Sequence, residues 1–136
     1  VATYYGAPLM LGRPHGLIIN TTFYDEGKYL GNVFYDVAKA AVNRAAFALS
    51  HDFAPHGIAA IALTPGFMRT ERTTSAGAIK DLSRTESPEY IGRAVVALAT
   101  DPNLMAKTGQ TLATGDLAQE YGFTDVDGRQ LPPCRI

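Results

Sequence analysis

Residues 58 to 63 read IAAIAL, six apolar residues in a row with no polar position among them. A strand with one wet face alternates, so an unbroken run argues for a strand covered on both faces. Leu17-Ile18-Ile19 is a second, shorter run of this kind, leading into Asn20-Thr21-Thr22. Between the two runs, Phe34, Val37, Ala38, Ala41, Val42, Ala45, Leu49 and Phe53 recur at helical spacing, with alanines filling the gaps. Pro55 and Gly57 end that helix. Buried strands joined by a long helix imply right-handed crossovers and a parallel sheet. The predicted class is α/β.

The rest of the chain extends the alternation. Ser87-Pro88 has the form of an N-cap followed by proline at the first helical position. Ile91, Ala94, Val95 and Leu98 carry the apolar face of the helix that follows, which stops at Asp101-Pro102. Residues 108–112 read as a third strand, and 117–121 as a helical turn. Segment 67–86 is rich in Thr, Ser, Arg and Glu without a clear period, with room for a short helix; a loop of this length in a compact domain is usually functional. The opening VATYYGAPLML reads as the end of a helix already under way and begins with Val, as expected of part of a longer protein.

With 136 residues there is room for one domain-sized core. A formal net charge of −1 without a basic run argues against nucleic acid or an anionic membrane as partner. No apolar stretch approaches a membrane span and no signal-peptide pattern opens the chain, so a cytoplasmic location is the default expectation. Cys134 is the only cysteine, which excludes an internal disulfide and a CxxC site. His51 and His56 have no acidic or thiol partners at ligand spacing, so no metal site is predicted. Asp125-Val126-Asp127-Gly128 looks like the start of a calcium loop but lacks the later ligands, and is read as a surface turn.

The chemistry concentrates in 21–42, where Tyr-Asp-x-x-Lys occurs twice. A tyrosine and a lysine four residues apart face the same way only on a helix. Tyr24 to Lys28 contains Gly27 and has no apolar periodicity, so it reads as loop. Tyr35 and Lys39 open the strongest helix in the chain. An ammonium about 5 Å from a phenol favours phenolate by about 3 kcal/mol at an effective dielectric near 20, which suits a tyrosine to proton exchange. Thr22 lies thirteen positions before Tyr35, at the carboxyl end of the first strand, the edge where open α/β sheets bind ligands.

Together these residues resemble the C-terminal half of a short-chain dehydrogenase/reductase: a strand ending in Ser, Tyr-x-x-x-Lys on a helix, then a strand ending in Pro-Gly with a threonine shortly after. Pro65, Gly66 and Thr70 hold the last three places. The resemblance runs from about residue 4 to 130, and the tail GQTLATGDLAQEYGFTDVDGR is similar to one branch of that family. It implies the C-terminal half of a Rossmann-like doubly wound parallel sheet, three strands with intervening helices. Residues 1–136 would then form one partial domain, with the dinucleotide-binding half lying outside them.

The resemblance further implies an NAD(P)-dependent oxidoreductase acting on a small-molecule carbonyl or alcohol. Tyr35 takes the part of general acid or base, and Lys39 that of its activator and holder of the nicotinamide ribose. Thr22 stands in the place of the substrate-orienting serine, with Pro65, Gly66, Phe67 and Thr70 against the nicotinamide end and 67–86 as substrate loop. NAD and NADP stay undistinguished, because the residue that reads the ribose 2′ position belongs to the other half. Asp36-Val37-Ala38 stands in place of the commoner Ala-Ser, and Thr22 in place of serine together with a glycine-rich loop absent from these residues supports a second reading, a non-catalytic binding or oligomerisation module. An unpaired sheet edge predicts association with the other half or with further copies, and the resemblance implies a dimer through the helix over 34–53.

Overall fold

In the computed structural model, which describes residues 2–23, 27, 29, 31–75 and 81–134, β1 (Gly16–Thr21), β2 (Ile58–Thr64) and β3 (Thr111–Ala113) form one parallel sheet in that order. Helix α1 (Ala2–Met10) precedes β1, α2 (Val33–Phe53) joins β1 to β2, and α3 (Glu71–Ser75) and α4 (Pro88–Thr100) lie between β2 and β3. Helix α5 (Thr114–Tyr121) follows β3 directly. The expected α/β class with three parallel strands and intervening helices is what the chain adopts.

The IAAIAL run is the centre. Every residue of β2 is buried, and its side chains alternate between two cores. Ala59, Ile61 and Leu63 pack with Ala94, Leu98, Leu104 and Leu117 on one face. Ile58 and Ala60 pack with Ile18 on the other, flanked by Met10, Leu49 and Phe53. Each fully buried Ile or Leu stabilises by about 1.5–3 kcal/mol, which is why residues 58–63 of this strand are all apolar and the one polar residue, Thr64, stands at its end. Strand β1 pairs with β2 from Gly16 opposite Ile58 to Thr21 opposite Leu63. Among the described residues no strand pairs with the outer edge of β1.

The third strand differs from the expected 108–112. Regular pairing covers Thr111 to Ala113, opposite Ala62 to Thr64. Before it, the Ala60 N–H donates to the Thr108 hydroxyl at 2.9 Å and Gly109 N–H to the Ala60 carbonyl at 2.7 Å. Gly109 does this at φ +80°, so the chain meets β2 through a side chain and a left-handed glycine before the ladder begins. The turn expected at 117–121 is the second half of α5.

Helix α2 also corrects an expectation. Of the expected apolar row, Phe34, Val37, Ala38, Ala41 and Ala45 are exposed, with Phe34 at 85%, whereas Val42, Leu49 and Phe53 are half-buried. The covered side of the helix is centred on Lys39, Asn43, Ala46, Leu49, Ser50 and Phe53, with Ala46 and Ser50 fully buried. Alanine is small enough to lie flat on a sheet or to face outward, so apolar spacing alone did not distinguish the two sides.

Candidate active site

Strand β1 delivers Thr22 to the carboxyl edge of the sheet, where its N–H donates to the Leu63 carbonyl at 2.9 Å. The side chain is buried. Its hydroxyl lies 3.4 Å from the carbonyls of both Phe23 and Lys39, long contacts that hold the proton weakly. The strand exit is therefore in contact with the turn of α2 that carries Lys39.

Asn32 caps α2, its side-chain oxygen accepting the Tyr35 N–H at 3.0 Å. Tyr35 thus sits in the first turn, 42% exposed, and Lys39 one turn on, half-buried. The Lys39 Nζ lies 5.6 Å from the centre of the Tyr35 ring. Among the described residues Lys39 has no acidic partner. The Phe23 ring lies 6.3 Å from that of Tyr35, joining strand exit and helix start a second time. The other Tyr-Asp-x-x-Lys copy, Tyr24 to Lys28, lies outside the described residues except for Gly27.

Asn43 was not anticipated. One turn beyond Lys39, its Nδ2 donates to the Phe23 carbonyl at 3.3 Å, so α2 holds the strand exit at two successive turns. Its position at i+4 from Lys39 was the only available signal. The Oδ1 atoms of Asn43 and Asp36 are buried without a hydrogen-bond partner among the described residues.

The second group follows β2. The Gly66 N–H donates to Glu86 Oε1 at 2.8 Å. The Glu86 backbone is held on both sides, its N–H donating to the Phe67 carbonyl at 2.9 Å and its carbonyl accepting from Arg69 N–H at 2.8 Å. Phe67 is left exposed, and Pro65 half-buried. Thr70 is occupied locally: its N–H donates to the Thr73 hydroxyl at 2.9 Å, and the two hydroxyls share a bond at 3.2 Å. The two groups lie at the same end of adjacent strands, with Thr22 against Leu63 and Pro65 two residues beyond, but no hydrogen bond links the side chains of one group to those of the other among the described residues.

Glu86 and Asp125 are the residues that the sequence reading missed. Burial drives the Glu86 carboxyl up to about 7, against the opposing donation from Gly66, and the charge of Asp125 adds to the rise. Asp125, expected on a surface turn, is buried. It accepts from Ser87 N–H at 2.9 Å, from the Ser87 hydroxyl, from Val126 N–H at 2.7 Å and from Arg69 at 3.3 Å. Burial pushes this carboxyl up, but the bonds from Ser87 and Val126 outweigh it and hold it below the usual range. The turn itself is present, with Gly128 N–H donating to the Asp125 carbonyl at 3.0 Å. Ser87 stands at the N-cap of α4 without a capping bond from its side chain, because its hydroxyl is committed to Asp125. Among the described residues no cluster of His, Cys, Asp and Glu could hold a metal ion, and no helix is long and apolar enough to cross a membrane.

A model of the short chain dehydrogenase family matches residues 1–81. Dehydrogenase/reductase SDR family member 1 of Mus musculus is 37% identical over 144 residues, covering 96% of this chain and 46% of its own length. The chain thus spans about half the length of that curated relative, which lies in the branch that the tail resembles. A short chain dehydrogenase from Mycobacterium thermoresistibile superposes with a TM-score of 0.73 at 25% identity, over 94% of this chain and 49% of the other. A gluconate 5-dehydrogenase from Burkholderia cenocepacia, in complex with NADP and tartrate, has the same fold at a TM-score of 0.67 and 24% identity, over 82% and 48%.

Proposed function

Since the chain belongs to the short-chain dehydrogenase/reductase family, a family of oxidoreductases, we propose that it carries the proton-handling half of an NAD(P)-dependent carbonyl/alcohol oxidoreductase. The single observation that carries this reading is the pairing of an exposed Tyr35 with the Lys39 ammonium, 5.6 Å from its ring centre and without an acidic partner among the described residues, one turn apart at the sheet's carboxyl edge.

The residues fit a nicotinamide cofactor. Lys39, with no acidic partner among the described residues, can donate to ribose hydroxyls, and Pro65, Gly66 and the exposed Phe67 ring offer a turn for the nicotinamide end. Thr70 fits less well, because Thr73 already engages its hydroxyl. When bound, the cofactor supplies or accepts the hydride. Tyr35 hands its phenolic proton to the carbonyl oxygen in reduction and takes it back in oxidation, while Lys39 stabilises the phenolate by charge. Thr22, whose hydroxyl is only weakly held, orients the substrate oxygen.

In the full-length protein Tyr35→Phe should lower NAD(P)H-linked ketone reduction by at least about 10²-fold and leave cofactor affinity within about twofold. Unchanged turnover removes Tyr35 from the chemistry. The burial of Thr22 favours a second reading, a non-catalytic binding or oligomerisation module. An absence of turnover in the natural protein, with intact self-association, would select it. Under either reading the exposed apolar row of α2 is the surface we assign to a second copy or to the other half of the domain. Sedimentation of a Phe34→Glu variant tests this, and an undiminished assembly refutes it.

A further inference from the structure

We propose that the cavity between the turn after β2 and the C-terminal tail is a recognition subsite for a neutral, apolar-bodied group bearing a hydroxyl, which Glu86 holds. The cavity measures about 530 Å³, and Gly66, Phe67, Arg84, Glu86, Leu131 and Cys134 are among its lining residues. That volume lies in the range that takes small molecules. Its far wall is fixed in place: the Tyr90 hydroxyl donates to the Leu131 carbonyl at 3.0 Å, Gln130 Nε2 donates to the Ala118 carbonyl at 2.7 Å, and Pro133 lies against Gly115.

Glu86 supplies the recognition. It is only 3% exposed, and its backbone is clamped on both sides. A carboxylate offers about four acceptor positions. Here Oε1 takes the Gly66 N–H, and among the described residues no other donor is hydrogen-bonded to the carboxylate. Arg69 is turned away toward the Thr85 carbonyl and Asp125. A buried acceptor left short of donors is costly, and an incoming O–H relieves that cost. Where Glu86 is ionised it disfavours anions, and Arg84, which lines the same cavity, disfavours cations. A hydroxyl can donate to the one and accept from the other. Phe67, Leu131 and the prolines at 132 and 133 offer apolar surface to the rest of the molecule. Calling that molecule a substrate rests on the oxidoreductase reading, since the cavity abuts the turn at Gly66 and Phe67; its binding does not.

The test uses the full-length protein with two ketones of nearly equal shape, 4-(hydroxymethyl)acetophenone and 4-ethylacetophenone. The hydroxyl ketone should be favoured about tenfold in kcat/KM, mainly through KM. Glu86→Leu should erase that preference, and Glu86→Gln, whose amide oxygen still accepts, should keep part of it. Carbonyl-free benzyl alcohol gives a readout independent of turnover: it should slow alkylation of Cys134, followed on its peptide by mass spectrometry, in the natural protein and not in Glu86→Leu. If Glu86→Leu does not fold, the reduced preference of Glu86→Gln and the weaker protection in Arg84→Ala carry the test. Protection with no ketone turnover supports the subsite and overturns the oxidoreductase reading. Turnover with neither preference nor protection overturns the subsite, as does a preference or protection that is the same in every Glu86 variant.

Discussion

Replacing Glu86 by Gln should change how stability depends on pH more than it changes stability at any one pH. In the unfolded chain the carboxyl releases its proton near 4.5, and in the folded protein, where burial opposes the charge, near 7. Between those values the folded state binds more protons than the unfolded, so stability falls as pH rises through the window. At 1.36 kcal/mol per pH unit the fall due to this group approaches about 3 kcal/mol, an upper figure because local relaxation and water entry reduce it. Glutamine keeps an oxygen for the Gly66 N–H at the same reach and carries no charge, so the variant should lack this component. The assay is urea unfolding of both full-length proteins, followed by circular dichroism at steps from pH 4.5 to 8 and constant ionic strength. The difference in unfolding free energy, variant minus natural, should grow by about 2–3 kcal/mol across the range, while groups common to both cancel. Parallel curves would show that Glu86 titrates in the folded protein as it does in water. The picture of a desolvated carboxyl at the cavity wall would then be wrong.

Asp125→Ala removes the acceptor for two donors of Ser87, for Val126 and for Arg69. It should cost about 3–5 kcal/mol by urea unfolding at pH 7; because the native carboxyl is held below its ordinary value, its contribution is present above about 4 and fades as pH falls further, so the variant's penalty should shrink there. Gly115→Ala would set a Cβ 2.3 Å from the Pro133 nitrogen and 2.5 Å from the Pro132 carbonyl carbon. Backbone cannot yield as a side chain does, so the tail should lift off α5, seen as faster alkylation of Cys134 and a loss of about 1–3 kcal/mol.

How much of the fold was legible follows from what each signal measures. An unbroken run such as IAAIAL reports burial on both faces, and both faces of β2 are indeed covered. The third strand was displaced because Thr108 and Gly109 hydrogen-bond to β2 without adopting its ladder, a distinction that depends on φ at one glycine. Ser87-Pro88 marked the start of α4 correctly, since proline at the first turn is sufficient for that. The capping bond is missing because a carboxylate thirty-eight residues away competes for the same hydroxyl. Local propensity cannot register that competitor.

The two halves of the candidate site differ in the same way. Thr22, Tyr35 and Lys39 were legible because their geometry follows from local periodicity: one strand end, one helical turn, one capped start. Asn43 belongs to the same periodic set, but its role depends on where Phe23 turns its carbonyl, which spacing does not encode. Glu86 and Asp125 gain their properties from burial by segments twenty to fifty-six residues distant. A sequence that presents Glu and Asp among turn formers offers no sign of that desolvation. The outward row on α2 is the complementary case. Its apolar periodicity was visible, and the residues are apolar, yet of the expected row only Val42, Leu49 and Phe53 are partly covered. A helix with one side on its own sheet and a second, apolar side in the open has more hydrophobic surface than its own core uses. Periodicity in such a helix marks apolar surface on every side that carries it, so spacing alone could not tell Leu49 and Phe53, which pack against the sheet, from Phe34 and Val37, which are exposed.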